Sequence, residues 1–311
     1  MEFKHIPIML KECIDGLNIK PDGVYIDATL GGAGHSSAIA NLLNKNGTLI
    51  GIDKDLDAIE VAMQRLSKFS CKKIIVHSDF KNLKQILIDN NISKVDGILA
   101  DLGVSSYQID EVERGFSYSK DAKLDMRMNK TQKLTAFDVV NTYDEKDLVK
   151  ILYEYGEESF AKSIVRNIIK ERQIKPIDST FKLVSIIEKS VPPKVLHKGG
   201  SVAKKTFQAL RIEVNGELDS LKSVLDDMVE VLNPGGRLCI ITFHSLEDRI
   251  VKNNFVNNST GCICPKNFPI CVCNHKAILK LINKKPVIPT DIEVMQNKRS
   301  MSSKLRIAQK I

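Results

Sequence analysis

Residues 24–36 read VYIDATLGGAGHS: a short β-branched run reaching Asp27, a turn carrying Gly31, Gly32 and Gly34, and then the first polar residues of a helix. Glycines at such a junction let the backbone pass close to a ligand, and the helix start offers amide donors that lack intrahelical partners. Working outward, three similar runs follow: GTLIGID (47–53), KIIVHSD (73–79) and VDGILAD (95–101). Each is nearly continuously apolar and separated from the next by a helical stretch, the pattern of βαβ units in a parallel sheet buried on both faces. With VYIDATL (24–30) as the first strand, Asp27, Asp53, Asp79 and Asp101 fall along the rim where such sheets open on their ligands.

The chain has 311 residues, 43% of them hydrophobic and 27% charged, which suits a globular protein and excludes collagenous or wholly disordered classes. A formal net charge of +8 favours a polyanionic partner or an anionic surface. The start, MEFKHIPIML, is too charged for a secretory signal, and no stretch approaches the ~20 apolar residues of a membrane span. A cytoplasmic location is therefore expected. From about residue 107 to 205 the alternation of strands and helices gives way to helices joined by polar loops. A long amphipathic helix, NGELDSLKSVLDDMVEVL, then leads through an NPGG turn into RLCIITF (237–243), and SKLRIAQKI (303–311) supplies a last strand. The expected architecture is an α/β sheet domain, 1–106 with 206–311, interrupted by a helical insertion, 107–205.

The glycine turn is not a dinucleotide fingerprint: counted from Gly32, the third position of Gly-x-Gly-x-x-Gly holds Ser37. Asp27 just before it repels a pyrophosphate and attracts an ammonium or sulfonium group, and S-adenosylmethionine carries both. Asp53, 26 residues on, stands where an acid accepts hydrogen bonds from two ribose hydroxyls. The plainer alternative is that Asp53 opens a turn or caps the helix near Asp55. His35 is read as a ligand contact, with helix capping as its alternative, and Phe80 either lies against adenine or completes the core.

Beyond the fourth strand, DLGVSSYQID and LDMRM lie in a polar, glycine-punctuated run. Together with DATLGGAGHS, SDFKNL, YGEESFAKSIVRNI, FQALRIEVNGEL, NPGGRLCIITFHSLEDRIVK and SSKLRIAQ, they make the chain resemble the ribosomal RNA small subunit methyltransferase H family, also called MraW, over nearly its whole length. The resemblance implies a Rossmann-like class I methyltransferase fold. It also implies an S-adenosylmethionine-dependent enzyme that methylates the exocyclic N4 of a cytidine in the decoding region of small-subunit ribosomal RNA. Its cofactor contacts would be Ala33, Gly34, His35, Asp53, Phe80, Asp101 and Gln108. Ala33 replaces the usual second glycine, a change expected to be tolerated if φ stays negative there. Ala122 and Lys123 replace the usual Gly-Pro, which bears on loop shape.

For the chemistry, Asp101 either accepts the proton of the attacking amine or orients the amine of the cofactor. Phe243 and His244, at the end of the returning strand, can stack on and bond to an extruded base; alternatively Phe243 completes the core and His244 caps the next helix, with Glu247 in the capping arrangement. Asp125 and Arg127 are expected to pair with each other. Two basic stretches suit RNA phosphates: residues 192–205, with Lys194, Lys198, Lys204 and Lys205, and residues 276–311, with nine Lys or Arg against two acids. The partner implied is small-subunit ribosomal RNA or a ribosomal particle, with no membrane; a homodimer is left open.

Seven cysteines are an odd number. Cys13, Cys71 and Cys239 sit singly in apolar segments as buried thiols would, whereas Cys262, Cys264, Cys271 and Cys273 fall within twelve residues, enough for a tetrahedral zinc site with His275 spare. The family does not require a metal, and none is assigned. Two rival readings remain: an RNA-binding factor that keeps the cofactor as a sensor, and an NAD-dependent oxidoreductase, disfavoured by the missing third glycine.

Overall fold

The computed structural model describes residues 7–196, 201–262, 264, 265, 268, 270, 272, 273 and 275–311. Its strands are β1 Val24–Asp27, β2 Thr48–Asp53, β3 Lys72–His77, β4 Val95–Asp101, β5 Leu232–Thr242, β6 Leu279–Leu281 and β7 Lys304–Lys310. The helices are α1 Leu10–Leu17, α2 Gly34–Leu42, α3 Leu56–Leu66, α4 Leu83–Asp89, α5 Ser106–Asp110, α6 Ala136–Thr142 and α7 Glu145–Glu154. They continue with α8 Ala161–Ile174, α9 Thr180–Lys189, α10 Pro193–Leu196, α11 Ala203–Asn215, α12 Glu217–Val231, α13 Ser245–Ser259 and α14 Asp291–Gln296. Two compact units result: Met1–Gly103 with Leu218–Ile311, and Val104–Glu217.

The first unit is one seven-stranded sheet in the order β3-β2-β1-β4-β5-β7-β6. Neighbours from β3 to β5 run parallel, and β7 lies antiparallel between β5 and β6. This is the doubly wound, Rossmann-like sheet that the family resemblance implies. Its apolar strands are covered on both faces, and the two-residue period sorts them. Ile50, Ile52, Ile98, Ala100, Leu238 and Ile240 join one core with Leu83, Leu87, Leu225, Met228 and Phe255. Their sequence neighbours Leu49, Leu99, Cys239 and Ile241 join the other, with Cys13, Leu17, Ile39, Ala62 and Leu66. The continuous apolar runs are thus two interleaved faces, one under α1, α2 and α3, the other under α4, α12 and α13.

Several element boundaries differ from the sequence-based reading. Strand β1 stops at Asp27 because the chain bends at once, the Thr29 N–H donating to Asp27 Oδ1 at 3.2 Å. Strand β3 ends at His77, and Asp79 instead caps the single 3₁₀ turn Phe80–Asn82, accepting from the Lys81 N–H at 3.0 Å. The NPGG turn is a bulge inside β5: Val95 pairs with Leu232 but Gly97 with Arg237, so residues 233–236 loop out, with Gly235 at φ 82°. The basic C-terminal stretch is no loose tail. It builds β6, α14 and β7, and its Lys304 and Arg306 are held by Asp248 at 3.2 and 2.7 Å.

The second unit packs α6, α7, α8, α9 and α11 around their own core, including Val139, Val140, Leu148, Leu152, Ile164, Ile168, Leu183 and Leu210. Helix α11 belongs here, which moves the boundary from 205/206 to 217/218. The Asn215 side-chain amide donates to the Met126 carbonyl at 2.8 Å while its Oδ1 accepts from the Met128 N–H at 2.7 Å, and Arg211 makes a two-pronged pair with Glu217 at 2.8 Å. The two Asn215 bonds fasten α11 to the LDMRM segment, where Asp125 and Arg127 pair as expected, at 2.7 Å. Of the basic loop, Lys204 and Lys205 start α11 and the Lys205 ammonium donates to the Glu157 carbonyl at 2.8 Å; Lys198 lies outside the described residues.

Candidate active site

Strand order reverses between β1 and β4: the chain leaves β1 toward β2 and β3, then returns to the other side of β1 as β4. The crevice at the carboxyl ends of the two strands flanking such a reversal is the ordinary ligand position of an open α/β sheet. Asp27 ends β1, Asp53 ends β2 and Asp101 ends β4.

The glycine turn is held from three sides. Asp53 Oδ2 accepts from the Gly31 N–H at 2.7 Å, the Arg65 guanidinium donates to the Gly32 carbonyl at 2.6 Å, and Ala33 donates to the Leu30 carbonyl at 2.8 Å. Ala33 has φ 58°, so the condition under which alanine would be tolerated there without strain is not met. Its peptide must turn left-handed to start α2, and the alanine methyl bears a strain of about 1–2 kcal/mol that glycine would not. Gly34 meets a different constraint: a Cβ there would run into the Pro7 ring. The segment before α1 therefore lies directly against the turn, and its Ile8 carbonyl receives a hydrogen bond from His35 Nε2 at 2.9 Å.

That bond fixes the histidine. Nε2 carries the hydrogen, since a carbonyl only accepts, and burial pushes the imidazole pKa down to about 4, so the ring is neutral with Nδ1 as an acceptor. Nδ1 points at Asp101 Oδ2 from 3.8 Å, too far for a hydrogen bond. His35 does not cap α2, whose N-cap is Ala33. Asp27 is fully paired by comparison, accepting from the Ser36 hydroxyl at 2.6 Å and from Thr29. Thr29 Oγ1 in turn accepts from the Asp101 N–H at 2.6 Å, lacing the β1 and β4 ends together. Thr29 and Ser36 were not singled out from sequence; hydroxyls two and nine residues after a strand-end acid carry no signal until the turn brings them together.

Asp101 is the least satisfied of the three strand-end acids. Its Oδ1 is buried without a hydrogen-bond partner among the described residues. Burial, then the neighbouring charges of Asp27 and Glu247, raises its pKa to about 8. Burial also raises Asp27 and Asp53 to about 6, against the hydrogen bonds each accepts. The rim is acidic, with Asp27, Asp53 and Asp101 all raised above the ordinary carboxylate range.

Asp53 does the turn-forming work of the plainer alternative, its Oδ1 accepting from the Asp55 N–H at 2.8 Å, whereas the cap of α3 is Asp55 itself. Each Asp53 oxygen still has a second lone pair. Phe80 is 9% exposed and packs with the core beneath the 3₁₀ turn. Just after β5, Phe243 packs partly against the α1–α3 core and its N–H donates to Glu247 Oε2 at 2.8 Å. His244 occupies the N-cap of α13 but its side chain does not cap. Its Nε2 lies 3.2 Å from Glu247 Oε1 in poor alignment, and both ring nitrogens lack hydrogen-bond partners among the described residues. In the second unit, Gln108 is buried and its Oε1 accepts from the Ser105 N–H at 3.0 Å, closing a capping box on α5.

The profile of the MraW methylase family matches residues 2–311. The chain is 54% identical to a protein of Lachnospira eligens named ribosomal RNA small subunit methyltransferase H, over all of this chain and 99% of that one. Proteins of the same name from Finegoldia magna and Clostridioides difficile are 54% and 51% identical, each match covering both chains completely. No helix among the described residues is long and apolar enough to cross a membrane. With a family match across practically its full length, and the sheet and strand-end acids of a methyltransferase, this chain belongs to the MraW methylase family.

Proposed function

We propose that the protein is an S-adenosylmethionine-dependent methyltransferase acting on the exocyclic N4 of a cytidine in small-subunit ribosomal RNA. The observation that carries the cofactor reading is the unpartnered, buried Asp101 oxygen at the strand-order reversal, among carboxyls whose pKa values are all raised. Such a rim repels the pyrophosphate of a dinucleotide and accommodates a ligand bearing ammonium and sulfonium groups, so the donor set fits S-adenosylmethionine and not NAD. When bound, that cofactor supplies an electrophilic methyl group. The RNA substrate rests on the names of the relatives, and the site chemistry is compatible with it.

In this reading the Asp53 oxygens take the ribose hydroxyls, Phe80 borders the adenine, and the turn at Ala33, Gly34 and His35 lies along the methionine moiety. The family resemblance also implies Gln108, in the other compact unit, as a cofactor contact. Asp101 has two tasks open to it, holding the cofactor's amine or receiving the proton released from the attacking cytosine amine. A carboxyl that titrates near 8 can exchange a proton at working pH, which a carboxyl at its ordinary value does poorly. The N4 lone pair is delocalised into the ring, and an acceptor for its N–H localises it toward the methyl group. His244, whose ring nitrogens make no hydrogen bond among the described residues, bonds the base edge, and Phe243 offers an aromatic face. The inserted helical unit, Val104–Glu217, is assigned to RNA recognition, and the chain acts in the cytoplasm where its substrate is assembled.

The test is mass-spectrometric mapping of N4-methylated cytidine in small-subunit RNA from cells lacking the protein, with restoration by purified enzyme and labelled donor. Loss of one N4-methylcytidine and its recovery is the expected result. An unchanged methylation map defeats the proposal, and tight RNA binding with no methyl transfer favours the sensor alternative.

A further inference from the structure

The connection between α13 and β6 carries four cysteines, three of them among the described residues. Cys262, Cys264 and Cys273 bring their sulfurs together so that all three lie within 4.8 Å of one another. Cys273 Sγ and Cys262 Sγ are 3.8 Å apart. A disulfide needs about 2.05 Å. Sulfurs bound at about 2.3 Å on two corners of a tetrahedron are separated by about 3.8 Å, which is the spacing seen. The Val272 N–H donates to Cys264 Sγ at 3.4 Å. Amide donors of this kind spread the negative charge of a metal-bound thiolate and fix its orientation.

The segment also needs a tie. Among the described residues of the loop, Phe268, Ile270 and Val272 are 51%, 74% and 66% exposed. Metal binding by closely spaced thiolates supplies folding free energy to a segment that holds its ligands. The remaining cysteines behave differently: Cys13, Cys71 and Cys239 are buried in the sheet unit, and burial holds the Cys239 thiol up at about 12.

We propose that Cys262, Cys264 and Cys273 bind a structural zinc ion that organises the loop between α13 and β6, remote in role from methyl transfer. The ligands are thiolates, so uptake of zinc releases the thiol protons to solvent and leaves the sulfur oxidation state unchanged. The fourth thiol of the motif, Cys271, lies outside the described residues.

The full chain, purified under reducing conditions without chelators, is expected to hold about one zinc per molecule by elemental mass spectrometry and to release it on titration with a mercurial. Replacement by cobalt(II) should give the intense visible bands of a tetrahedral thiolate complex, together with proton release on uptake. Cys262→Ser and Cys273→Ser should each lose the cobalt thiolate absorption or weaken metal retention at least ten-fold against a competing chelator, whereas Cys71→Ser keeps both. The cobalt spectrum of the unmutated chain stands even if a variant fails to fold. Substoichiometric zinc with no cobalt bands from fully reduced protein, a disulfide found among these cysteines in freshly lysed cells, or unchanged metal retention in the Cys262 variant would overturn the proposal.

Discussion

Replacing Asp101 by asparagine tests the electrostatics of the site without reference to substrate. The folded protein raises this carboxyl from 3.8 to about 8. Between those values the folded state holds a proton that the unfolded state has lost, so stability contributed by the neutral acid is complete below pH 4 and is lost as pH rises through 8. The slope is about 1.4 kcal/mol per pH unit for one proton, and integration over the interval gives a ceiling of about 6 kcal/mol. The side chain keeps 23% of its surface, and screening by the solvent it touches brings the expected effect to roughly 3 kcal/mol. The substituted asparagine is neutral at every pH and similar in size, and its amide can donate toward the acceptor Nδ1 of His35. In the ligand-free protein Asp101→Asn should therefore match the parent near pH 4 and exceed it by roughly 3 kcal/mol at pH 9, a rise of about 10 °C in melting temperature for a unit of this size. Thermal unfolding of both proteins across that range, read as their difference, cancels the other titrating groups. The same variant should turn over slowly. A melting-temperature difference that stays flat with pH, or a variant less stable than its parent at pH 9, would refute the reasoning.

Two further outcomes follow from the same crevice. Asp53→Ala should weaken S-adenosylmethionine binding by about ten-fold or more, because two hydroxyl partners and the Gly31 anchor are lost together, while retention on RNA barely changes; calorimetry showing equal cofactor affinity would remove Asp53 from the site. Ala33→Gly should leave stability within about 0.5 kcal/mol of the parent, since relief of the left-handed alanine offsets a lost buried methyl of about 0.8 kcal/mol and added unfolded-state freedom of about 0.7 kcal/mol; a loss of about 1.5 kcal/mol or more in urea unfolding would mean that φ is negative there.

The acids Asp27, Asp53 and Asp101 were legible because a strand buried on both faces must end where polar groups can begin, and the apolar runs mark that point residue by residue. The alternation of Leu49, Ile50 and Ile52, or of Leu238, Cys239 and Ile240, was not legible as two faces, since helices cover both sides and no polar residue breaks the run. The LDMRM segment announced its Asp125–Arg127 pair, but not that Asn215, far along the chain, would hold its backbone and carry α11 into the inserted unit. Nor did any local pattern signal β6, three residues long, which forms only because β7 offers it an edge.

What the amino-acid order determined by itself was local and periodic: which runs become strands, where glycines break them, which acids end them, and how many cysteines gather in one loop. Tertiary structure alone decided the strand order that reverses beside β1, the left-handed peptide at Ala33, the contact of Pro7 with Gly34 and the neutral tautomer of His35. It also decided which carboxyl is left without a partner. Periodicity is set by backbone geometry that every residue shares, whereas a pKa near 8 at Asp101 depends on charges and burial supplied by segments as distant in sequence as Asp27 and Glu247.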